Sequence, residues 1–217
     1  SYVALMKELR AGAFPHVKQL IGSSAGALAA TFISFSPSTD DTQKLLAERI
    51  PSLLETNEDL RTTYPSLHYQ DTMPFLGRLL CKLMGRKPLG EANELVRELD
   101  AISSKTTADF LNGLGEKELE TCITRYCEKT PGKQNQRDEI LKRLEKLKAP
   151  HDFSRNREES MITFSDIDIL HAIDSKRFKD IQVTGFDYQL RKVKYFNVSE
   201  TPNMPLAYAA RTSMSHP

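Results

Sequence analysis

The sequence predicts an α/β fold that is interrupted by a long helical segment. Three features carry this prediction: an apolar run that leads through a Gly-rich corner into a helical pattern, helical periodicity in the middle, and two strand-like runs near the end. A strand followed by a tight corner and a helix is the opening unit of an α/β sheet. We therefore expect one α/β core, contributed by both ends of the chain.

Residues 1–37 form the first part of this core. Residues 1–9 have apolar side chains at helical spacing, residues 17–21 are an apolar run typical of a buried strand, and residues 27–35 form a helix of small and apolar residues. No capping residue precedes the first helix, and residues 212–217 form a loop that has not reached a next element. We expect the sequence to be a piece of a longer protein.

Residues 38–160 are predicted to be an all-helical insertion or lid. Ser38 and the acidic residues that follow it favour a helix start, and residues 137–148 carry leucine and isoleucine on one face. Polar, Gly and Pro clusters separate the helices at residues 62–66, 85–90, 112–115 and 130–136. No repeat with a period of about 20–50 residues is present, which argues against a solenoid.

Residues 161–217 return to α/β character and form the second part of the core. Ser165 is predicted to cap a short helix. The runs at 181–186 and 193–198 predict a hairpin, because two alternating apolar runs flank a polar turn. Residues 206–211 predict a further helix of small residues.

Composition excludes several classes of protein. The 30 basic and 29 acidic residues leave a net charge of +1, so we expect no nucleic-acid partner. Three irregularly spaced cysteines fit a reducing compartment and predict neither a disulfide framework nor a metal site. No apolar stretch approaches the ~18 residues of a membrane span, and no signal peptide is visible. We expect a cytoplasmic or peripheral membrane location.

The corner Gly22-Ser23-Ser24-Ala25-Gly26 matches the pattern G-x-S-x-G. In a nucleophile elbow of this kind the serine occupies a strained strand-to-helix turn, and the glycines let strand and helix pass closely. The backbone N–H groups after the serine then face a developing oxyanion. We therefore predict Ser24 as a nucleophile, with Gly22, Ala25 and Gly26 forming the elbow and oxyanion site. The alternative is a tight turn with solvent-facing serines.

A nucleophilic serine needs a base. In an α/β-hydrolase an acid and then a histidine follow the serine. The candidate histidines are His68, His151, His171 and His216, and none has a distinguishing setting. That fold also has several strands ahead of its nucleophile, whereas one helix and one strand precede Ser24 here. A Ser-His-Asp esterase stays as an alternative that fits poorly.

Four stretches resemble the patatin-like phospholipase family. "IGSSAGALAA" resembles its elbow, "MITFSDIDIL" its Thr-Phe-x-x-Leu helix start, and "IQVTGFDYQLRKVKYFN" its paired strands. "PLAYAARTSMSHP" resembles the stretch before the family's catalytic aspartate. The resemblance covers residues 1–35 and 161–217 in the family's order and implies a three-layer α/β hydrolase core. The long insertion resembles those of the family's secreted bacterial effectors. This resemblance implies a host cell, reached by secretion, as a second location.

The resemblance implies a phospholipase A-type hydrolase with a Ser/Asp dyad, acting on phospholipid acyl esters without a metal or organic cofactor. Its implied partners are a phospholipid membrane surface and a protein activator. The family's Gly-rich oxyanion loop would precede Ser1 and its Asp-Gly motif would follow Pro217, so we expect the chain alone to be inactive. No aspartate here is followed by glycine, and Asp166, Asp174 and Asp187 are not assigned as the base. The alternative is a pseudoenzyme or binding module for a protein or membrane.

Residues 73–87 form a basic amphipathic stretch that contains no acidic residue. Its apolar residues recur at helical spacing, and its cations lie between them, which is typical of a helix at an anionic membrane surface. The candidate membrane or lid residues are Phe75, Arg78, Leu79, Lys82, Leu83, Arg86 and Lys87. The alternative is a helix packed on its neighbours with a solvated basic side.

Overall fold

The computed structural model of the protein describes residues 4–5, 7–8, 11, 13–14, 16–35, 93–150, 161–187 and 190–214. Strands and helices meet near both ends of this part of the chain, and helices fill its middle. The strands are β1 (Gln19–Ser23), β2 (Asp180–Asp187) and β3 (Lys192–Phe196); the helices are α1 (Ala25–Phe35), α2 (Asn93–Gly113), α3 (Glu116–Lys129), α4 (Arg137–Leu147), α5 (Phe164–Ile173) and α6 (Leu206–Met214). The predicted α/β class is confirmed.

The strands form one sheet in the order β1-β2-β3. β1 and β2 are parallel, with Gly22 opposite Val183, and β2 and β3 form the predicted antiparallel hairpin, with Val183 opposite Phe196. A parallel pair needs a long crossover connection, and the chain between β1 and β2 supplies it. β1 begins and ends two residues later than the predicted run at 17–21.

The two faces of the sheet differ in burial. Ile181, Val183 and Phe196 are buried on one face, where β2 contacts α1, α5 and α6. The residues that alternate with them on the three strands point the other way, and they include the exposed apolar side chains of Ile21, Phe186, Val193 and Tyr195. The helices named above therefore pack on the face that carries Val183.

Helices α2, α3 and α4 share their hydrophobic core with the sheet and with α1, α5 and α6. Phe178, just before β2, packs against helices from both parts of this core. The centroid of its ring lies 5.6 Å from that of Phe35 in α1 and 4.9 Å from that of Phe110 in α2. The predicted helix at 137–148 is confirmed as α4, and the predicted breaks at 112–115 and 130–136 separate α2, α3 and α4.

The prediction that Ser165 caps a helix is wrong. Thr163 is the N-cap of α5, and its hydroxyl accepts a hydrogen bond from the Asp166 N–H while the Asp166 carboxylate accepts one from the Thr163 N–H. This reciprocal capping box satisfies two N–H groups that a helix start leaves free, and Ser165 cannot form it because it lies inside the first turn.

The predicted loop at 212–217 is wrong for residues 212–214, because α6 continues to Met214. Its buried face contacts β2, α1 and α2, so tertiary packing extends the helix through Thr212 and Ser213, whose own helix propensity is only moderate. In the described part of the chain, no helix is long and apolar enough to cross a membrane.

Candidate active site

Ser24 alone forms the turn between the end of β1 and the start of α1. Its backbone φ is 51°, in the left-handed region that L-residues avoid because their Cβ approaches the carbonyl oxygen. Such a conformation costs a serine about 1–2 kcal/mol. The corner is therefore strained in the way that a nucleophile elbow requires.

Gly22 is the residue that lets strand and helix approach. A Cβ at this position would lie 2.3 Å from the carbonyl oxygen of Gly26 and 2.6 Å from the backbone nitrogen of Ala27. Both are backbone atoms that cannot move aside, so the close passage requires glycine here. At Gly26, in contrast, an added Cβ would meet no atom within 4 Å among the described residues.

Both backbone polar groups of Ser24 are hydrogen-bonded. Its carbonyl accepts the N–H of Ala27 at 2.9 Å, which begins α1. Its own N–H donates to the hydroxyl of Ser213 in α6 at 2.8 Å, and that hydroxyl donates to the carbonyl of Thr184 in β2. Ser213 was not among the site residues predicted from the sequence, where its only signal is a position in the stretch that resembles the family.

The corner is accessible and faces the start of a helix. Ser24 and Gly26 are half-buried, while Ser23 and Ala25 are exposed. The first N–H groups of a helix have no acceptor within the helix, and the helix dipole places partial positive charge at the same end. A serine here can attack a carbonyl carbon next to N–H groups that stabilise the resulting oxyanion.

A family model described as Patatin-like phospholipase matches residues 1–217. The chain belongs to the patatin-like phospholipase family. The resemblance identified from the sequence is thereby confirmed. No curated protein matches the chain.

Two solved structures share the fold of this chain. One is the complex of full-length SpcU with full-length ExoU from the type III secretion system of Pseudomonas aeruginosa, with 22% identity and a TM-score of 0.53 over 100% of the chain. The other is VipD from Legionella pneumophila, with 14% identity and a TM-score of 0.58 over 97% of the chain. The chain spans 35% and 39% of the matched chains, respectively.

The aspartates that were candidates for the base stabilise local structure in this protein. Both carboxylate oxygens of Asp166 accept hydrogen bonds from Arg143 at 2.9 and 2.7 Å. Asp174 accepts from the backbone N–H groups of residues 176 and 177, and Asp187 accepts from that of residue 190. These contacts give each carboxylate a structural role.

Of the four candidate histidines, His171 lies among the residues that the structure describes. Nδ1 of His171 in α5 lies 2.7 Å from the carbonyl oxygen of Phe178, so this nitrogen donates to the backbone of the loop before β2. His68, His151 and His216 lie outside the described residues. The His171 side chain therefore stabilises the loop that joins α5 to β2.

The remaining predicted site residues are those of the basic stretch at 73–87, and all of them lie outside the described residues. Among the described residues, no group of three His, Cys, Asp or Glu side chains is arranged to hold a metal ion. Ser24, Gly22, Ala25 and Gly26 are thus the predicted residues that the structure brings together, at the end of β1 and the start of α1.

Proposed function

We propose that the intact protein is a lipolytic acyl hydrolase of phospholipase A type, with Ser24 as the nucleophile. The observation that carries this proposal is the φ of 51° at Ser24, in a one-residue turn between β1 and α1. Strain at a single polar residue is costly, and it persists in proteins mainly where function uses it. Membership of the patatin-like phospholipase family supports the same reaction.

The proposed reaction has two steps. The Ser24 hydroxyl oxygen attacks the acyl carbonyl carbon, its proton passes to the base, and the tetrahedral oxyanion accepts hydrogen bonds from the N–H groups that open α1. The intermediate then expels the alcohol of the lysophospholipid, which takes the proton. In the second step a water molecule attacks the acyl carbonyl carbon and the base takes its proton. The intermediate then expels the Ser24 oxygen, which regains the proton, and a fatty acid leaves.

The proposed base is an aspartate of an Asp-Gly motif, a motif that these 217 residues do not contain. The contacts of Asp166, Asp174 and Asp187 with Arg143 and with backbone N–H groups support leaving them out of this role. A carboxylate next to the serine can accept its proton directly, so the dyad needs no histidine.

The proposed substrate is a phospholipid in a membrane surface, and the reaction requires no metal or organic cofactor. ExoU has been solved with a second protein, SpcU, and it comes from a secretion system. The shared fold supports, for this protein, a protein partner and delivery into a host cell as a secreted effector.

Replacement of Ser24 in the intact protein tests this proposal. We expect Ser24→Ala to lower phospholipid hydrolysis by about 10⁴-fold, the scale of a disabled nucleophile–base pair, because the nucleophile is removed. Ser23→Ala is the matched control and should retain activity. A fluorophosphonate probe should label Ser24 and not Ser23. Hydrolysis by the Ser24 variant at a rate comparable to wild type would remove Ser24 as the nucleophile, whereas wild-type protein that neither hydrolyses phospholipid nor reacts with the probe would favour a pseudoenzyme or binding module.

A further inference from the structure

We propose that Ser213 is a positioning residue for Ser24, and this inference rests on the proposed function of Ser24 as nucleophile. Ser213 lies in the last turn of α6, and its hydroxyl lies between the backbone N–H of Ser24 and the backbone carbonyl of Thr184 in β2. We infer that this bridge holds the strained corner in its reactive geometry.

The Ser213 hydroxyl replaces one backbone hydrogen bond between the parallel strands β1 and β2. The register pairs Ser23 with Thr184, so one further pair would place Ser24 opposite Gly185. In a parallel ladder an N–H reaches the carbonyl of the residue before its partner, which would join Ser24 to Thr184. Because the chain turns at Ser24, that direct bond is replaced by two bonds through the hydroxyl of Ser213.

Only a group that both accepts and donates can make this bridge. The Ser24 N–H needs an acceptor and the Thr184 carbonyl needs a donor, and a serine or threonine hydroxyl supplies both at one oxygen atom. An alanine or valine at position 213 would leave both backbone groups without this partner. Ser213, Ser24 and Thr184 are each half-buried, so water replaces such a bridge less readily than on an open surface.

The bridge acts on the torsion that defines the elbow. The N–H that Ser213 accepts belongs to the peptide plane between Ser23 and Ser24, and rotation of this plane about the N–Cα bond of Ser24 is its φ, observed at 51°. Anchoring the plane to β2 and α6 therefore fixes the direction of the Ser24 side chain. It also assigns the Ser24 N–H to positioning and leaves the N–H groups of Ala25 and Gly26 for an oxyanion.

The test compares Ser213→Val with Ser213→Thr in the intact protein. Valine and threonine have the same shape, so the two variants differ in the hydroxyl alone. Thr212→Val makes the same change at the exposed neighbouring residue and controls for loss of any hydroxyl in this turn. For each variant we measure amide hydrogen exchange at Ser24, the melting temperature, and the rate at which a fluorophosphonate probe labels Ser24 well below that temperature.

We expect Ser213→Val to speed exchange of the Ser24 amide by tenfold or more and to slow labelling of Ser24 by about 10–100-fold, the scale expected when a reacting group is misplaced by a fraction of an ångström to 1 Å. Ser213→Thr should keep most of the wild-type protection and labelling rate. For hydrolysis, kcat should fall in the valine variant while KM changes little, because the substrate-binding surface is not altered.

Each of the following outcomes would overturn the inference. Equal exchange at Ser24 in the valine and threonine variants would remove the bridge. Faster exchange with an equal labelling rate, or a lower melting temperature alone, would make Ser213 a structural residue only. If the probe does not label Ser24 in the wild-type protein, the proposed function is overturned and this inference with it. If the probe labels the wild-type protein and labels the valine and threonine variants at equal rates, this inference alone is overturned.

Discussion

The backbone N–H of Ser24 donates to the hydroxyl of Ser213 at 2.8 Å, although 189 positions separate the two residues. Ser24 follows the first strand of the described sheet, and Ser213 lies in the last described helix. The elbow is therefore completed by the part of the chain that follows the helical middle. Its geometry depends on the whole α/β core having assembled.

The two glycines of the elbow should respond differently to alanine. Gly22→Ala places a Cβ 2.3 Å from the Gly26 carbonyl oxygen, so the strand or the helix must shift. We expect it to cost about 1–3 kcal/mol or more in the free energy of unfolding, the usual range for overpacking. Chemical denaturation of the two single variants measures the difference.

Gly26→Ala is the matched control, because an added Cβ there meets no described atom within 4 Å. Alanine stabilises a helix by up to about 1 kcal/mol relative to glycine, so this variant should be at least as stable as wild type. Equal destabilisation by the two changes would contradict the close passage of β1 and α1 at Gly22.

No single histidine should be essential for hydrolysis. His171 donates to the Phe178 carbonyl at 2.7 Å, and the proposed dyad uses an aspartate as its base. We expect replacements of His68, His151, His171 and His216, made one at a time in the intact protein, to retain most of the activity. A loss of about 10⁴-fold in kcat from any one of them would establish the Ser-His-Asp alternative.

Tyr126 should make the stability of the fold sensitive to alkaline pH. Its hydroxyl donates to the Asp168 carboxylate at 2.5 Å, which joins α3 to α5. Burial first, and then this hydrogen bond and the negative charge of Asp168, raise the pKa of Tyr126 well above its usual value. The folded protein therefore keeps the phenol proton at a pH where the unfolded chain has lost it.

The sign follows from this proton difference. Below about pH 10, the pKa of Tyr126 in the unfolded chain, the phenol is protonated in both states and its hydrogen bond contributes fully to stability. Above that pH the unfolded chain loses the proton first, so this group should lower the free energy of unfolding by about 1.4 kcal/mol per pH unit. Tyr126→Phe should be less stable than wild type by about 1.5–3 kcal/mol near neutral pH, the range for a hydrogen bond to a charged group. Urea unfolding from about pH 8 to about pH 11 measures the difference in free energy of unfolding between wild type and Tyr126→Phe, which should become smaller above about pH 10. A difference that stays constant over this range would contradict the raised pKa.

The basic stretch at 73–87 is still predicted to lie at a membrane or to act as a lid. Replacing Arg78, Lys82, Arg86 and Lys87 with Gln should weaken binding to anionic vesicles and preserve thermal stability. Each cation contributes about 1 kcal/mol near an anionic surface, so affinity should fall by roughly two to three decades. The effect should shrink as salt rises, because the Debye length is only ~10 Å at 0.1 M.

Alanine at Leu79, Leu80 and Leu83 separates the two interpretations of this stretch. A helix packed in the core would lose several kcal/mol of stability through cavities, about 2–5 kcal/mol for each buried leucine. A membrane-facing helix would lose vesicle binding and keep its melting temperature. Unchanged vesicle binding in the charge variant, with a large stability loss in the leucine variant, would favour the packed helix.

The sequence by itself located the corner at Ser24, the helix that became α4 and the hairpin of β2 and β3. Each of these depends on local chemistry: glycine spacing, helical periodicity of apolar residues, and alternation around a polar turn. The capping box of Thr163 and Asp166 was equally local, and the error at Ser165 came from choosing the wrong one of two hydroxyl residues that Phe164 separates.

Only the tertiary structure decided which distant groups complete the corner. The parallel register of β1 with β2, the contact of Arg143 with Asp166 and the bridge of Ser213 from Ser24 to Thr184 each join residues that lie far apart in the chain. Local propensity carries no information about such pairs, because they form when the buried faces of several helices and strands fit together. From the sequence, Ser213 is an ordinary polar residue of a predicted loop, and it becomes a partner of Ser24 only when α6 packs on β2.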